Sequence, residues 1–142
     1  MYAVLRNRKA RVAAFSFLLF AGAVCSNAVM DTISFRYDRS VFSKLDKFHQ
    51  WFDPRISWVN KWKNGDPAQG EAFILSSTAL VATTDAWHFF KAVTIICVLL
   101  AIILPFTQLF TLHWTAWIGV IIGLKLVYGL IFESLFAHCL IR

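Results

Sequence analysis

Three long apolar runs, separated by polar and aromatic stretches, dominate the pattern along the chain. They predict membrane-spanning helices at about 12–30, 85–104 and 114–140, because a helix needs about 20 apolar residues to cross a bilayer. With 142 residues, the chain has room for a single domain. The pattern therefore predicts an all-α membrane protein with three transmembrane helices.

The second span is predicted to belong to a longer helix. No Gly or Pro occurs from Phe73 to Leu104, so these 32 residues are compatible with one continuous helix, about 48 Å long at 1.5 Å per residue. Dividing the stretch into two spans leaves no residues for a turn. Residues 73–84 are therefore predicted to form a helical lead-in, and the span itself begins near Asp85.

Residues 31–72 join the first two spans and mix charged residues with an unusual number of aromatic rings, among them Trp51, Trp58 and Trp62. Trp and Tyr favour the headgroup zone of a bilayer because their rings are apolar and their polar groups need water, and Lys and Arg can extend beside them. The segment is therefore predicted to be an interfacial aromatic loop that lies on the membrane.

Composition supports a membrane protein and excludes a nucleic-acid partner. Apolar residues make up 58% of the chain and the mean hydropathy is +0.61, whereas soluble domains are about 45–50% apolar. The net charge is +6, but the basic residues flank spans or alternate with acids, which is typical of membrane-flanking segments. The lipid bilayer is the predicted partner. Three cysteines, an odd number in apolar surroundings, imply no disulfide framework.

The first apolar run is predicted to be an uncleaved signal anchor, because the rest of the chain is itself apolar enough to stay in the membrane. Four basic residues precede this run and favour a cytoplasmic N-terminus. The 31–72 loop carries seven Lys and Arg, which favours the opposite orientation, but six acids nearly balance them. We expect a multi-pass protein of the cell inner membrane with its N-terminus in the cytoplasm.

Polar residues are predicted to meet at one membrane face. Three antiparallel spans place the end of the first, the beginning of the second and the end of the third on the same side, beneath the loop. The candidate polar site consists of Asp85, His88, Lys91, Glu133, His138, Asn60 and Lys61. Charged side chains at a membrane span are costly and are often functional.

Asp85 and His88 are three residues apart and share a helical face, so the carboxylate can orient the imidazole or join it in holding a cation. A structural role is equally open: Asp85 caps the helix, and Lys91 extends to the interface. His138 or His49 could supply a second nitrogen, but no HExxH or CxxC spacing is present. We predict no metal site, and the sequence assigns no cofactor.

Lys125 lies about eleven residues into the third span, near the bilayer centre, where a charge costs about 2.5–3.5 kcal/mol. Its partner is expected on another helix, another subunit or a ligand. Gly119 and Gly123 form a GxxxG spacing that lets a second helix approach closely. These three residues are predicted to pack against a helix, either within this chain or in an oligomer or larger complex.

Four segments carry a resemblance to known proteins. They are Met30-Asp31-Thr32, Ser57-Trp58-Val59-Asn60-Lys61-Trp62-Lys63-Asn64-Gly65-Asp66, Ser76-Ser77-Thr78 and Thr83-Thr84-Asp85-Ala86-Trp87-His88-Phe89. On these segments, over about Asn27 to Lys91, the chain resembles a group of small integral membrane proteins found mostly in Bacteroidota. The resemblance implies a location in the bacterial envelope and assigns no catalytic residue.

Two functional hypotheses follow. In the first, the chain is an accessory or interaction subunit that docks with a larger membrane assembly through Gly119, Gly123 and Lys125. In the second, it binds or acts on a lipid headgroup or another amphiphile, at a site formed by Asp85, His88, His138 and the Ser57–Asp66 loop. Small size favours the first, because three helices scarcely enclose a cavity. The density of polar residues at one face favours the second.

Overall fold

Backbone placement is described for residues 2–108, 110 and 113–134 of the computed structural model. Four α-helices run over Tyr2–Arg36 (α1), His49–Phe52 (α2), Ala86–Phe106 (α3) and Trp114–Ser134 (α4). Short 3₁₀-helices lie at Tyr37–Arg39, Val41–Lys44, Asp46–Phe48, Ser57–Lys61, Lys63–Gly65, Pro67–Gln69 and Val81–Thr83. These residues include no β-strand, only an isolated bridge between Trp62 and Glu71. The predicted all-α class is confirmed for this part of the chain.

Two helices are long and apolar enough to cross a membrane, over Asn7–Arg39 and Ala86–Phe106. Helix α4 occupies the position of the predicted third span, and the apolar stretch that is described within it is Trp114–Val127. Residues 135–140 of that predicted span lie outside the described residues. Within the described residues, two helices have the length and apolar character of a span, where the sequence predicts three.

Helices α1 and α3 pack against each other in antiparallel orientation. A Cβ atom added at Gly22 would lie 3.7 Å from Cys97 Sγ, and Thr94 Oγ1 lies 3.5 Å from the Ala23 carbonyl oxygen. The contacts run in opposite directions along the two helices, so the end of α1 lies beside the start of α3. A methyl group at position 22 would make ordinary van der Waals contact with Cys97.

The predicted continuous helix over residues 73–104 is wrong, because α3 begins only at Ala86. Residues 73–80 form turns, and a 3₁₀-helix follows at Val81–Thr83. Side-chain carboxylates take the backbone N–H groups that a longer helix would have used. Glu71 accepts hydrogen bonds from the N–H groups of Leu75 and Ser77, as acidic side chains do where they compete with helix formation.

The loop between α1 and α3 is organised by Asp53, which is only 2% exposed. Its carboxylate accepts from the Arg55 guanidinium at 2.8 Å and from the Arg55 N–H at 2.9 Å, and His49 Nε2 lies 3.2 Å away. Hydrogen bonding to Arg55 lowers the pKa of Asp53 and outweighs the opposing effect of burial. The ionised carboxylate therefore ties α2 to the turn that follows it.

Candidate functional site

Helix α3 begins with a carboxylate–imidazole pair, of which the carboxylate is buried and the imidazole partly exposed. Asp85, which is 2% exposed, accepts a hydrogen bond from the His88 N–H at 2.9 Å and so caps the helix. Its other oxygen lies 2.7 Å from His88 Nδ1 and 3.1 Å from Thr84 Oγ1. A carboxylate at this distance holds the proton on Nδ1, which leaves Nε2 as the ring nitrogen available to a ligand.

Asn60 and Lys61 position the start of α3 from the loop. The Asn60 side-chain amide donates to the Thr84 and Gln50 carbonyl oxygens, both at 2.9 Å. The Lys61 carbonyl accepts a 2.7 Å hydrogen bond from the hydroxyl of the fully buried Ser76. Two members of the candidate polar site thus fix the backbone of residues 73–84: Lys61 at Ser76 and Asn60 at Thr84.

A cavity of about 360 Å³ lies between α3, α4 and the segment 78–82. Three nitrogen-bearing side chains line it: His88, Lys91 and Lys125. The rest of the lining is mainly aliphatic and includes Ile95, Leu99 and Ile121. The volume is within the usual range of about 300–1,000 Å³ for small-molecule sites, which are typically apolar with a few well-placed polar groups.

Two ammonium groups and no carboxylate are among the described side chains that line the cavity. Lys91 Nζ lies 4.8 Å from the centroid of the Trp87 ring, a distance at which the ring face attracts a cation. Lys125 makes no ion pair within 4 Å with any carboxylate whose side chain the structure describes. Asp85 contacts His88 and does not line the cavity. The arrangement is suited to an anionic group attached to an apolar body.

Lys125 joins the candidate polar site, whereas the sequence places it separately among the helix-packing residues. It lines the same cavity as His88 and Lys91. A Cβ atom added at Gly119 or Gly123 meets nothing within 4 Å, so that face of α4 is not packed against the described part of this chain.

The other two predicted site residues remain untested. The backbone of Glu133 is part of α4, but its side chain is not among those described. His138 lies outside the described residues. The prediction that both share the membrane face of His88 stays a prediction.

Sequence reasoning missed the segment 78–82, which forms one wall of the cavity. The signal that could have revealed it is the density of hydroxyl residues, with Ser76 and Ser77 before it, Thr78 at its start, and Thr83 and Thr84 after it. Ser and Thr offer the backbone side-chain hydrogen bonds that compete with helix formation.

No set of three His, Cys, Asp or Glu side chains within the described ranges is close enough to hold a metal ion. Comparisons with protein-family models, curated proteins and solved structures gave no significant match to this chain. The argument for function therefore rests on the chemistry of the cavity.

Proposed function

We propose that this chain is a small integral membrane protein that binds an anionic amphiphile, with a carboxylate or phosphate headgroup, between α3, α4 and residues 78–82. The observation that carries the proposal is the convergence of His88, Lys91 and Lys125 on one largely aliphatic cavity. The headgroup contacts these three side chains, and the hydrocarbon tail follows Ile95, Leu99 and Ile121.

An anionic ligand is favoured energetically because of the lysines. An ammonium group costs about 2.5–3.5 kcal/mol at the centre of a spanning helix. An anion in the same cavity offsets this cost through charge-assisted hydrogen bonds, which are shorter and stronger than neutral ones. His88 adds a third donor when its Nε2 carries a proton, with the ring held by Asp85. The aliphatic lining shields the hydrocarbon tail from water, or takes the place of the lipid chains that would otherwise surround the tail.

The topology that fits this proposal has α1 and α3 as spans, α4 as the third, and the 31–72 loop on the membrane surface. Trp58 is about half exposed and Lys61 lies over the Trp62 ring, as expected of side chains in a headgroup zone. We place the protein in a bacterial inner membrane with a cytoplasmic N-terminus. The resemblance to small Bacteroidota membrane proteins and the basic N-terminal flank support this placement.

We predict that native mass spectrometry of the protein, purified in a mild non-ionic detergent, will show a one-to-one complex with an acidic amphiphile. The adduct should persist at collision energies that remove detergent and zwitterionic phospholipid. Fatty acid and acidic phospholipid are distinguished directly by mass. A chain that retains zwitterionic and acidic lipids equally would contradict the proposal.

The second candidate function is an accessory subunit of a larger membrane assembly, and the open face at Gly119 and Gly123 favours it. Small residues on an unpacked helical face permit close approach of another helix. The same mass spectrum separates the two candidates. Release of partner polypeptides with no acidic amphiphile would favour the accessory subunit, whereas an isolated chain carrying the amphiphile favours the binding protein.

A further inference from the structure

The turn at Phe73–Leu75, hereafter the apolar tip, exposes three consecutive large apolar side chains ahead of α3. Phe73 is 43% exposed, Ile74 79% and Leu75 47%. No charged residue occurs from Ala72 to Thr84. An exposed, contiguous apolar surface of this kind is typical of a site that contacts a membrane or another protein.

The apolar tip is held by a carboxylate clasp at its base. Glu71 accepts hydrogen bonds from the Leu75 N–H at 2.9 Å, the Ser77 N–H at 3.1 Å and the Ser77 hydroxyl. These bonds lower the pKa of Glu71 and keep it ionised, the Ser77 hydroxyl having the largest effect. On the other side, buried Ser76 bonds to the Lys61 carbonyl oxygen. The turn is therefore fixed from both sides and is not a loose connection.

The backbone groups of Phe73 and Leu75, on either side of the apex, have hydrogen-bond partners. The Ser76 N–H donates to the Phe73 carbonyl at 3.0 Å, and the Leu75 carbonyl accepts from the N–H groups of Thr78 and Leu80 at 3.1 and 2.9 Å. A non-helical segment enters the hydrocarbon region only where its polar backbone groups have partners, because lipid offers none. Phe73 and Leu75 meet this requirement, whereas the N–H and carbonyl of Ile74 bond to no described residue. The Ile74 backbone must therefore stay at the level of the headgroups, where water can reach it.

Leu75 has φ of 60°, a left-handed conformation that is strained for a bulky side chain. Such conformations persist where surrounding bonds enforce them, and they are concentrated at functional positions. The result in this case is that Leu75 stays beside Ile74 on the exposed surface. Transfer of both side chains from water into lipid would be favourable.

We infer that the side chains of the apolar tip insert into the acyl-chain region of the bilayer beside α3, with the Ile74 backbone at the level of the headgroups, as a short non-helical membrane anchor. Lipid is the expected occupant because the same segment continues into residues 78–82, which line the cavity next to Ala92 on the spanning helix α3. Lys61 and Lys63, at the base of the turn, suit anionic headgroups. The inference holds whether or not the cavity takes an amphiphile.

A nitroxide at position 74 tests the inference by paramagnetic resonance. Ile74→Cys would be labelled in a Cys25→Ala, Cys97→Ala, Cys139→Ala background and reconstituted in vesicles of phosphatidylethanolamine and phosphatidylglycerol. We expect the label to be accessible to oxygen and shielded from a water-soluble nickel chelate, as at Ile102→Cys, an exposed position on α3. Ala68→Cys, in the polar part of the loop, should show the opposite behaviour.

A label at position 74 that behaves like the one at position 68 would overturn the inference. Glu71→Ala supplies the second measurement, because it removes the clasp without changing an apolar side chain. It should move the label at position 74 toward water and leave the label at position 102 unchanged. An equal shift at both positions would mean that the substitution disturbs the whole fold, and insertion by the clasped turn would then be contradicted.

Discussion

Lys125→Met should weaken the binding of an anionic amphiphile about 10- to 100-fold, because it removes one charge-assisted contact to the headgroup. Such a contact contributes about 1.5–3 kcal/mol, and each 1.4 kcal/mol is about a factor of ten in affinity. Methionine keeps an unbranched, apolar side chain, so the aliphatic part of the cavity is preserved. The measurement is a titration with a fluorescent fatty acid, detected by energy transfer from the native tryptophans.

Lys63→Met provides the matched control, because it removes the same charge from an exposed loop position outside the cavity. It should change the affinity by less than about a factor of three, since exposed charges act weakly through a high dielectric and mobile ions. Equal weakening by the two substitutions would show that overall positive charge attracts the amphiphile, and the role of Lys125 in the cavity would be refuted. A zwitterionic probe should bind all three proteins alike.

Asp85→Ala should lower the free energy of unfolding by about 2–4 kcal/mol. The substitution removes the cap of α3, worth about 1 kcal/mol, and leaves His88 Nδ1 without its charged acceptor, a loss of about 1.5–3 kcal/mol. Asp85→Asn should lose less, because asparagine retains the capping oxygen. Unfolding followed by circular dichroism in detergent measures both differences.

Asp66→Ala is the appropriate comparison for the cap. Asp66 accepts a 2.9 Å hydrogen bond from the Ala68 N–H at the start of a 3₁₀-helix, but it is more accessible than Asp85 and has no imidazole partner. Its removal should cost about 1 kcal/mol or less. If Asp66→Ala and Asp85→Ala destabilise the protein equally, the interaction of Asp85 with the His88 ring contributes nothing to the free energy of unfolding beyond ordinary capping.

The two long apolar helices could be predicted from the sequence, but the turn that precedes the second could not. Apolar runs of sufficient length locate α1 and α3, and the start of α3 falls where the pattern places it, beside Asp85. The absence of Gly and Pro from residues 73–84 suggested a helix there. The backbone instead bonds to Glu71, and Leu75 takes a left-handed conformation for which the sequence has no glycine signal.

The candidate site could be predicted only where its residues are close together in the sequence. A spacing of three residues is sufficient to pair Asp85 with His88, because both lie on one helical face. Lys125 is 34 residues beyond Lys91 in the sequence, and no local rule states that both line one cavity. Its inclusion depends on how α4 lies against α3, together with a wall from residues 78–82. Residues 78–82 supply the additional wall that a helical protein of this size needs to form the cavity.

The most direct test of the amphiphile site is photolabelling in vesicles with a fatty acid that carries a diazirine in its tail. The proposal predicts saturable labelling of α3 and α4 peptides that contain Ile95, Leu99 and Ile121. Unlabelled acidic amphiphile should compete for this labelling, and Lys125→Met should reduce it. Labelling spread over the exposed face of α1, including Phe17, with no competition by acidic amphiphile, would contradict the account.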